Sequence, residues 1–264
     1  MKSLVALAAV AGSVGVSSLA SAAIIFNQGT ETGSRYNAQA NPPIAAGYNV
    51  ATTTTFTSCV FDGGNNSAVI NRLTFGIRQL AGAPSVDIRV FIAQMTGDGT
   101  LNTGSVQDLG LLSIGGVAAS ATTQVSLNLT AGLKIAMTDL APANNPGKSG
   151  FFVGLRFEGA NAANNLNGWR ITNAPSVGLA FNNFASYDPT SGLLGYYSFA
   201  APTPSYMFLN VDGTLVPAPG ALALLGLAGV AGTRRRRSTG VDRPNLQTSR
   251  GAPAVPGPRV PLGR

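Results

Sequence analysis

The chain has 264 residues, of which only 10% are charged, with 33 glycines and 16 prolines. Its formal charge is +7, yet residues 24–216 hold eight cations against nine acids, so the basic excess lies in the ends and this region offers no phosphate footprint for nucleic acid. Histidine is absent and Cys59 is the single cysteine, which excludes Ser-His-Asp and Cys-His nucleophiles in their usual forms, an intramolecular disulfide and a thiolate metal cluster.

Met1-Lys2-Ser3 gives a short positive segment, Leu4 to Val16 a run dominated by Leu, Val, Ala and Gly, and Ala20-Ser21-Ala22 the small residues that a signal peptidase accepts. This is the layout of a secretory signal, residues 1–23, with an apolar core too short for a stable bilayer span. Cleavage after Ala22 or Ala23 starts the mature chain at Ala23 or Ile24.

Residues 24–215 read as the exported domain. Thr55-Phe56-Thr57-Ser58-Cys59-Val60-Phe61 reads as a strand that buries a small thiol. Period-two alternation then recurs. Leu73, Phe75 and Ile77 alternate with Arg72, Thr74 and Arg78; Val86, Ile88, Val90 and Ile92 face away from Asp87, Arg89 and Phe91. Val125, Leu127 and Leu129 form a third set, Phe151, Val153, Leu155 and Phe157 a fourth, and Met207, Leu209 and Val211 a fifth. Turn clusters such as Asp62-Gly63-Gly64-Asn65-Asn66 and Thr96-Gly97-Asp98-Gly99-Thr100 separate them. One apolar and one polar face per strand, with no helical spacing, predicts an all-β antiparallel sandwich of jelly-roll or immunoglobulin-like type.

The residues of this domain raise three chemistries. Asp62 and Asp98 sit in Gly- and Asn-rich loops with oxygen ligands nearby, which makes them weak calcium candidates, although neither loop has the acidic spacing of a known cage. Glycoside hydrolysis needs two carboxylates across the scissile bond, and Asp87, Asp98, Asp108 and Asp139 fall on strand faces or in turns, where solvation is the default role. The segment from Trp169 to Tyr197 brings Trp169, Arg170, Asn182, Tyr187, Tyr196 and Tyr197 close in sequence. Flat rings beside amide and charged groups suit the stacking of sugar faces and the bonding of hydroxyls. The competing reading makes Trp169 a core residue, alternating with Ile171, and the tyrosines a rim.

Beyond Leu215 the composition changes. Val216-Pro217-Ala218-Pro219-Gly220 is stiff and extended because each proline fixes its own φ and restricts its predecessor. Ala221 to Gly232 contains no polar residue, and Arg234, Arg235, Arg236 and Arg237 close it as a stop-transfer run. At 1.5 Å per residue the apolar segment spans about 18 Å, short of the roughly 30 Å hydrocarbon layer, so a transmembrane helix removed by processing fits it better than a permanent anchor. Residues 216–237 resemble the PEP-CTERM family of bacterial sorting signals, with Ala218 standing where the family motif carries Glu. The resemblance implies recognition by an exosortase, cleavage near the proline motif, and a Gram-negative envelope, often with an exopolysaccharide matrix. Residues 238–264 are rich in Pro, Arg and Gly and read as a disordered tail.

Together these features describe an exported, non-catalytic protein of the cell envelope or biofilm matrix, transiently anchored in the inner membrane. Its expected partners are signal peptidase, exosortase, the membrane through the C-terminal helix, and polysaccharide; no cofactor and no nucleic acid is expected. A carbohydrate-binding module for exopolysaccharide is the alternative, and a secreted hydrolase the third reading.

Overall fold

Alternation of apolar side chains makes strands that must hide one face, and two sheets here do so against each other. The computed structural model describes residues 23–37, 53–63, 65–141, 147–158, 166–198 and 205–217. Residues 1–22 of the signal, Ala20 and Ala22 among them, Ala218-Pro219-Gly220, the apolar segment, Arg234 to Arg237 and the tail lie outside the described residues. Among those described there is no α-helix, only a turn of 3-10 helix at Thr103–Ser105, and no helix long and apolar enough to cross a membrane.

Fourteen strands follow in chain order: β1 (Ala23–Asn27), β2 (Glu31–Asn37), β3 (Thr54–Asp62), β4 (Asn65–Gln79), β5 (Val86–Gln94), β6 (Gln107–Ile114) and β7 (Ala121–Ala136), then β8 (Thr138–Asp139), β9 (Lys148–Phe157), β10 (Asn167–Thr172), β11 (Phe184–Asp188), β12 (Gly192–Tyr197), β13 (Tyr206–Met207) and β14 (Leu209–Pro217). Every pairing is antiparallel, in two seven-stranded sheets. The first sheet runs β1-β14-β4-β10-β13, with β7 on the other side of β4 and β2 beside β10. The second runs β12-β11-β3-β9-β5-β6, with β8 beside β9.

The inner faces meet in one core. Phe26, Leu73, Phe75, Ile77, Trp169 and Leu209 of the first sheet pack with Cys59, Phe61, Ile88, Val90, Phe151 and Val153 of the second. Edge contacts cross between the sheets, with Phe26 6.3 Å from Phe61 and Tyr36 4.7 Å from Phe184. The segment after β10 ties the sheets on one flank, because Asn27 bridges Val177 and Val60 bridges Leu179. Gly178 lies between these bridges at φ 76°, where a Cβ would sit 2.7 Å from the Phe26 ring. Buried amides close one end: Gln79 Nε2 donates to Asn167 Oδ1 and to the Gly115 carbonyl, both at 2.9 Å.

One expectation needs correction. The second sheet has no polar outer face at its centre. Phe56, Val60, Phe91, Ala93, Phe152 and Ala185 form a second apolar cluster on the side away from the main core, packed with Met95, Leu101 and Leu140 from the connecting segments. Strands β3 and β9 are therefore buried on both faces. Adjacent Phe151 and Phe152 are both 0% exposed although they point opposite ways. The strand boundary also moves: β14 extends through Val216 to Pro217, which pairs with Asn65, so the sheet takes in the first two residues of the expected sorting motif.

If both faces carry energy, Phe152→Ala should cost about as much as Phe151→Ala, each about 3–5 kcal/mol. Urea unfolding measures this, and a loss for Phe152→Ala under about 1 kcal/mol would mean that the outer cluster is a solvated surface.

Candidate functional site

The aromatic segment singled out in the sequence is dispersed by the fold. Trp169 lies on β10 facing the main core, 1% exposed, edge-on to Phe75 at 6.0 Å, with Nε1 donating to the Phe208 carbonyl at 2.7 Å. It cannot stack on a sugar, and the reading of Trp169 as core is the one the geometry supports. Arg170 points to the opposite face of the same sheet and donates from its guanidinium to Thr122 Oγ1. Asn182, in the segment before β11, accepts from the Ser205 amide at 3.1 Å. Tyr197 stacks on Phe184 in the main core at 5.7 Å.

Only Tyr187 and Tyr196 remain together. Both are half-buried against the outer cluster of the second sheet, where Tyr187 meets Phe56 edge-on at 6.2 Å. The Tyr196 hydroxyl accepts the Leu101 amide at 2.6 Å, which fastens β12 to the loop after β5. Burial first, and the nearby Asp98 charge, push the Tyr196 phenol above its ordinary pKa, while the Leu101 and Thr100 hydrogen bonds oppose the rise. The phenol stays neutral, as a polar contact on a sugar would require.

The two calcium candidates are occupied by their own surroundings. Asp98 Oδ1 accepts from the Thr96 and Thr100 hydroxyls and from the Thr100 amide, and these bonds hold its pKa below the ordinary carboxylate value. Asp62 sits 3.8 Å from Lys148 Nζ. No group of three side chains able to hold a metal occurs among the described residues.

A charged network that the sequence did not announce lies on the outer side of the second sheet. Register places Arg89 of β5 opposite Arg156 of β9, a like-charge pair that Glu158 bridges: Arg89 Nε donates to Glu158 Oε1 at 2.5 Å and Arg156 Nη2 to the same oxygen at 2.8 Å. Arg89 Nη1 also reaches Asp108 Oδ2 at 2.7 Å, and the Arg156 guanidinium lies 5.1 Å from the centre of the Phe91 ring. Burial works to raise both carboxyls. The Gly110 amide and Arg89 at Asp108, and Arg156 and Arg89 at Glu158, outweigh it and hold both below their ordinary values. Carboxylates clamped in the ionised form cannot serve as the proton donor that glycoside cleavage needs. Cys59 is fully buried, and burial drives its thiol pKa well up, away from the nucleophilic thiolate.

Two tests follow from these contacts. Trp169→Ala should lower the urea midpoint by the equivalent of about 3–5 kcal/mol, the signature of a core residue; an unchanged midpoint would put the indole outside the core. For the network, a carboxyl whose folded pKa is depressed adds stability above its unfolded value of about 4, and that stability is lost as pH falls through the lower folded value. Arg89→Ala should therefore cost up to about 1 kcal/mol at pH 7 and progressively less below about pH 4. A cost that stays constant with pH would assign the arginine's contribution to packing alone.

No protein-family model matches the chain, and no curated protein matches it. Among solved structures it is similar to the cysteine protease and lectin-like domains of Cwp84, a surface layer associated protein of Clostridium difficile, at 13% identity and a TM-score of 0.35, over 62% of this chain and 32% of that one. A second likeness is to infectious bursal disease virus Gt strain, at 13% identity and a TM-score of 0.27, over 81% of this chain and 50% of that one. The chain thus spans half or less of either protein that it resembles.

Proposed function

We propose that this is an exported, non-catalytic protein of the cell envelope or extracellular matrix, delivered through a secretory signal and sorted by an exosortase-type system acting on residues 216–237. The observation that carries this reading is the pairing at the two ends of the described domain. Its described strands run from Ala23 to Pro217, and the two cuts expected from the sequence fall at these same residues. Both expected cuts leave a domain whose terminal strands pair with each other, Ala23 opposite Gly213. The stop-transfer run Arg234 to Arg237 holds the chain at the inner membrane until processing.

The finer class of the sandwich is a jelly roll. Support comes from strand order: β1-β14-β4-β7 on one side and β3-β9-β5-β6 on the other, with the first strand of the domain beside the last. An immunoglobulin sandwich pairs its first strand with its second and its last with its penultimate one. Strands β10 to β13 then extend both sheets between the last two strands of the roll.

Carbohydrate binding is the second reading, favoured by Tyr187 and Tyr196, which share one face. Mass spectrometry of the mature protein tests the first. A chain starting at Ala23 or Ile24 and ending between Pro217 and Gly220 is the expected outcome; an intact end at Arg264 would overturn exosortase processing.

A further inference from the structure

Strands β6 and β7 end their sheets on the same flank of the sandwich. β6 closes the second sheet beside β5, β7 closes the first beside β4, and residues 115–120 join the two across that flank. Among the described residues β7 pairs with β4 alone, and no further backbone bond involves Ala121 to Ala136. Every second residue of an antiparallel strand turns its N–H and C=O away from a given neighbour. The free side of β7 is therefore a row of unmatched backbone donors and acceptors. Folded chains ordinarily guard such an edge with lysine, proline, a bulge or a very short strand.

The first half of β7 carries none of these guards. From Ala121 to Asn128 it pairs with β4 without interruption, and the register shifts only beyond, where Gly132 stands at φ 66°. No charged residue and no proline occurs in this strand before Lys134. Its side chains bond back into their own sheet: Ser126 Oγ lies 2.8 Å from Thr74 Oγ1, Thr123 Oγ1 donates to Gln79 Oε1 at 3.0 Å, and Thr122 Oγ1 accepts from Arg170. Gln124, Ser126 and Asn128 are exposed on the outward row. On the inward row Val125, Leu127 and Leu129 are only half-buried against the core, as are Leu109 and Leu112 of β6. Leu111 of β6 is 48% exposed. The flank thus offers two backbone edges with apolar side chains along both.

We propose that two copies of the chain associate through this flank, β7 pairing antiparallel with β7 of the second copy about a two-fold axis normal to the sheets. Such an axis keeps inward residues opposite inward ones. Centred on Val125, it sets Val125 against itself, Thr123 against Leu127 and Gln124 against Ser126. That register brings Val125, Leu127 and Leu129 nearest their copies, and no like charges meet. Asp108 on β6 is already held by Arg89 and by the Gly110 amide. The same axis brings the two β6 edges together and covers Leu111. Geometry favours a second copy over a loose peptide. The two edges stand about 10 Å apart, the spacing of packed sheets, so one extended peptide satisfies one edge and leaves the other bare. A second sandwich presents two edges at the same spacing. The run Thr122 to Asn128 spans about 24 Å, and over a flank about 20 Å deep its pairing buries on the order of 1,000 Å² in all, the lower bound for a specific interface and the scale of a reversible dimer.

Sedimentation of the full chain in a non-ionic detergent tests this, with the C-terminal apolar segment present in every sample. The parent should sediment as a dimer at micromolar concentration. Gln124→Lys with Ser126→Lys sets lysine opposite lysine at two symmetric places and should weaken association about tenfold. Gln124→Lys with Ser126→Glu sets lysine opposite glutamate at the same places and should restore the parent's affinity. Leu193→Lys, on the far edge of the second sheet at β12, should leave it unchanged. Both double variants alter exposed side chains, so when dilute they should melt at the parent's temperature. A monomeric parent would overturn the proposal. So would a dimer that the double lysine variant leaves intact, that the lysine–glutamate variant fails to restore, or that Leu193→Lys disrupts equally. None of these results bears on the mass of the mature termini, so the export reading stands or falls separately.

Discussion

From Ser149 to Leu155 strand β9 is buried on both faces, and the rest of the sandwich is arranged around that constraint. Phe151 and Val153 point into the shared core, Phe152 into the outer cluster, and all three are fully buried. A two-faced strand needs room on both sides, which glycine supplies: a Cβ on Gly154 would lie 2.7 Å from the Phe56 ring and one on Gly150 would meet the backbone of Cys59. Transfer of such rings from water is worth roughly 2–3 kcal/mol each, so β9 concentrates stability that a one-sided sheet would not hold. The cost falls on the connecting segments. Met95, Leu101 and Leu140 must fold back over the outer side to cover it, and the Tyr196–Leu101 hydrogen bond fixes one of those returns.

The same economy explains the closure of the domain at its ends. β14 is an interior strand, held by β4 on one side and β1 on the other, and so depends on Ala23–Asn27 for one of its ladders. Among the described residues β1 pairs with Asn210 to Gly213, and the pairing to β4 continues to Pro217. Proline at that last place donates nothing to a ladder.

Much of this was legible in the residues. The five alternating sets named from the sequence all lie on the core side: Leu73, Phe75 and Ile77, the Val86 to Ile92 set, the Phe151 to Phe157 set and the Met207 to Val211 set are buried, and Val125, Leu127 and Leu129 pack half-buried against them. Alternation reports one face of a strand, however, and says little when both faces are apolar. Phe91 and Phe152 alternate with core residues and so face outward, and only the chain segments returning over them make them core as well. The aromatic cluster failed for a related reason. Trp169 and Tyr197 are near in sequence, but β10 and β12 belong to different sheets, and proximity along the chain carried no information about which face each side chain took.

Register was the part no local pattern could contain. Arg35 and Arg170 lie far apart along the chain, and so do Arg89 and Arg156, yet each pair is directly opposite across a ladder. The two pairs are resolved differently. On the second sheet Glu158 and Asp108 lie within hydrogen-bond reach, which turns repulsion into a compact network. On the first sheet Arg35 crosses the bare backbone of Gly168, and Arg170 is buried with its guanidinium donating to Thr122 Oγ1. The basic pI, which belongs to the tail, conceals a domain whose summed charge is near zero. Charge acts on a ligand over about 8–10 Å in salt, so the arrangement on one face decides what that face attracts, and the sum over the chain does not.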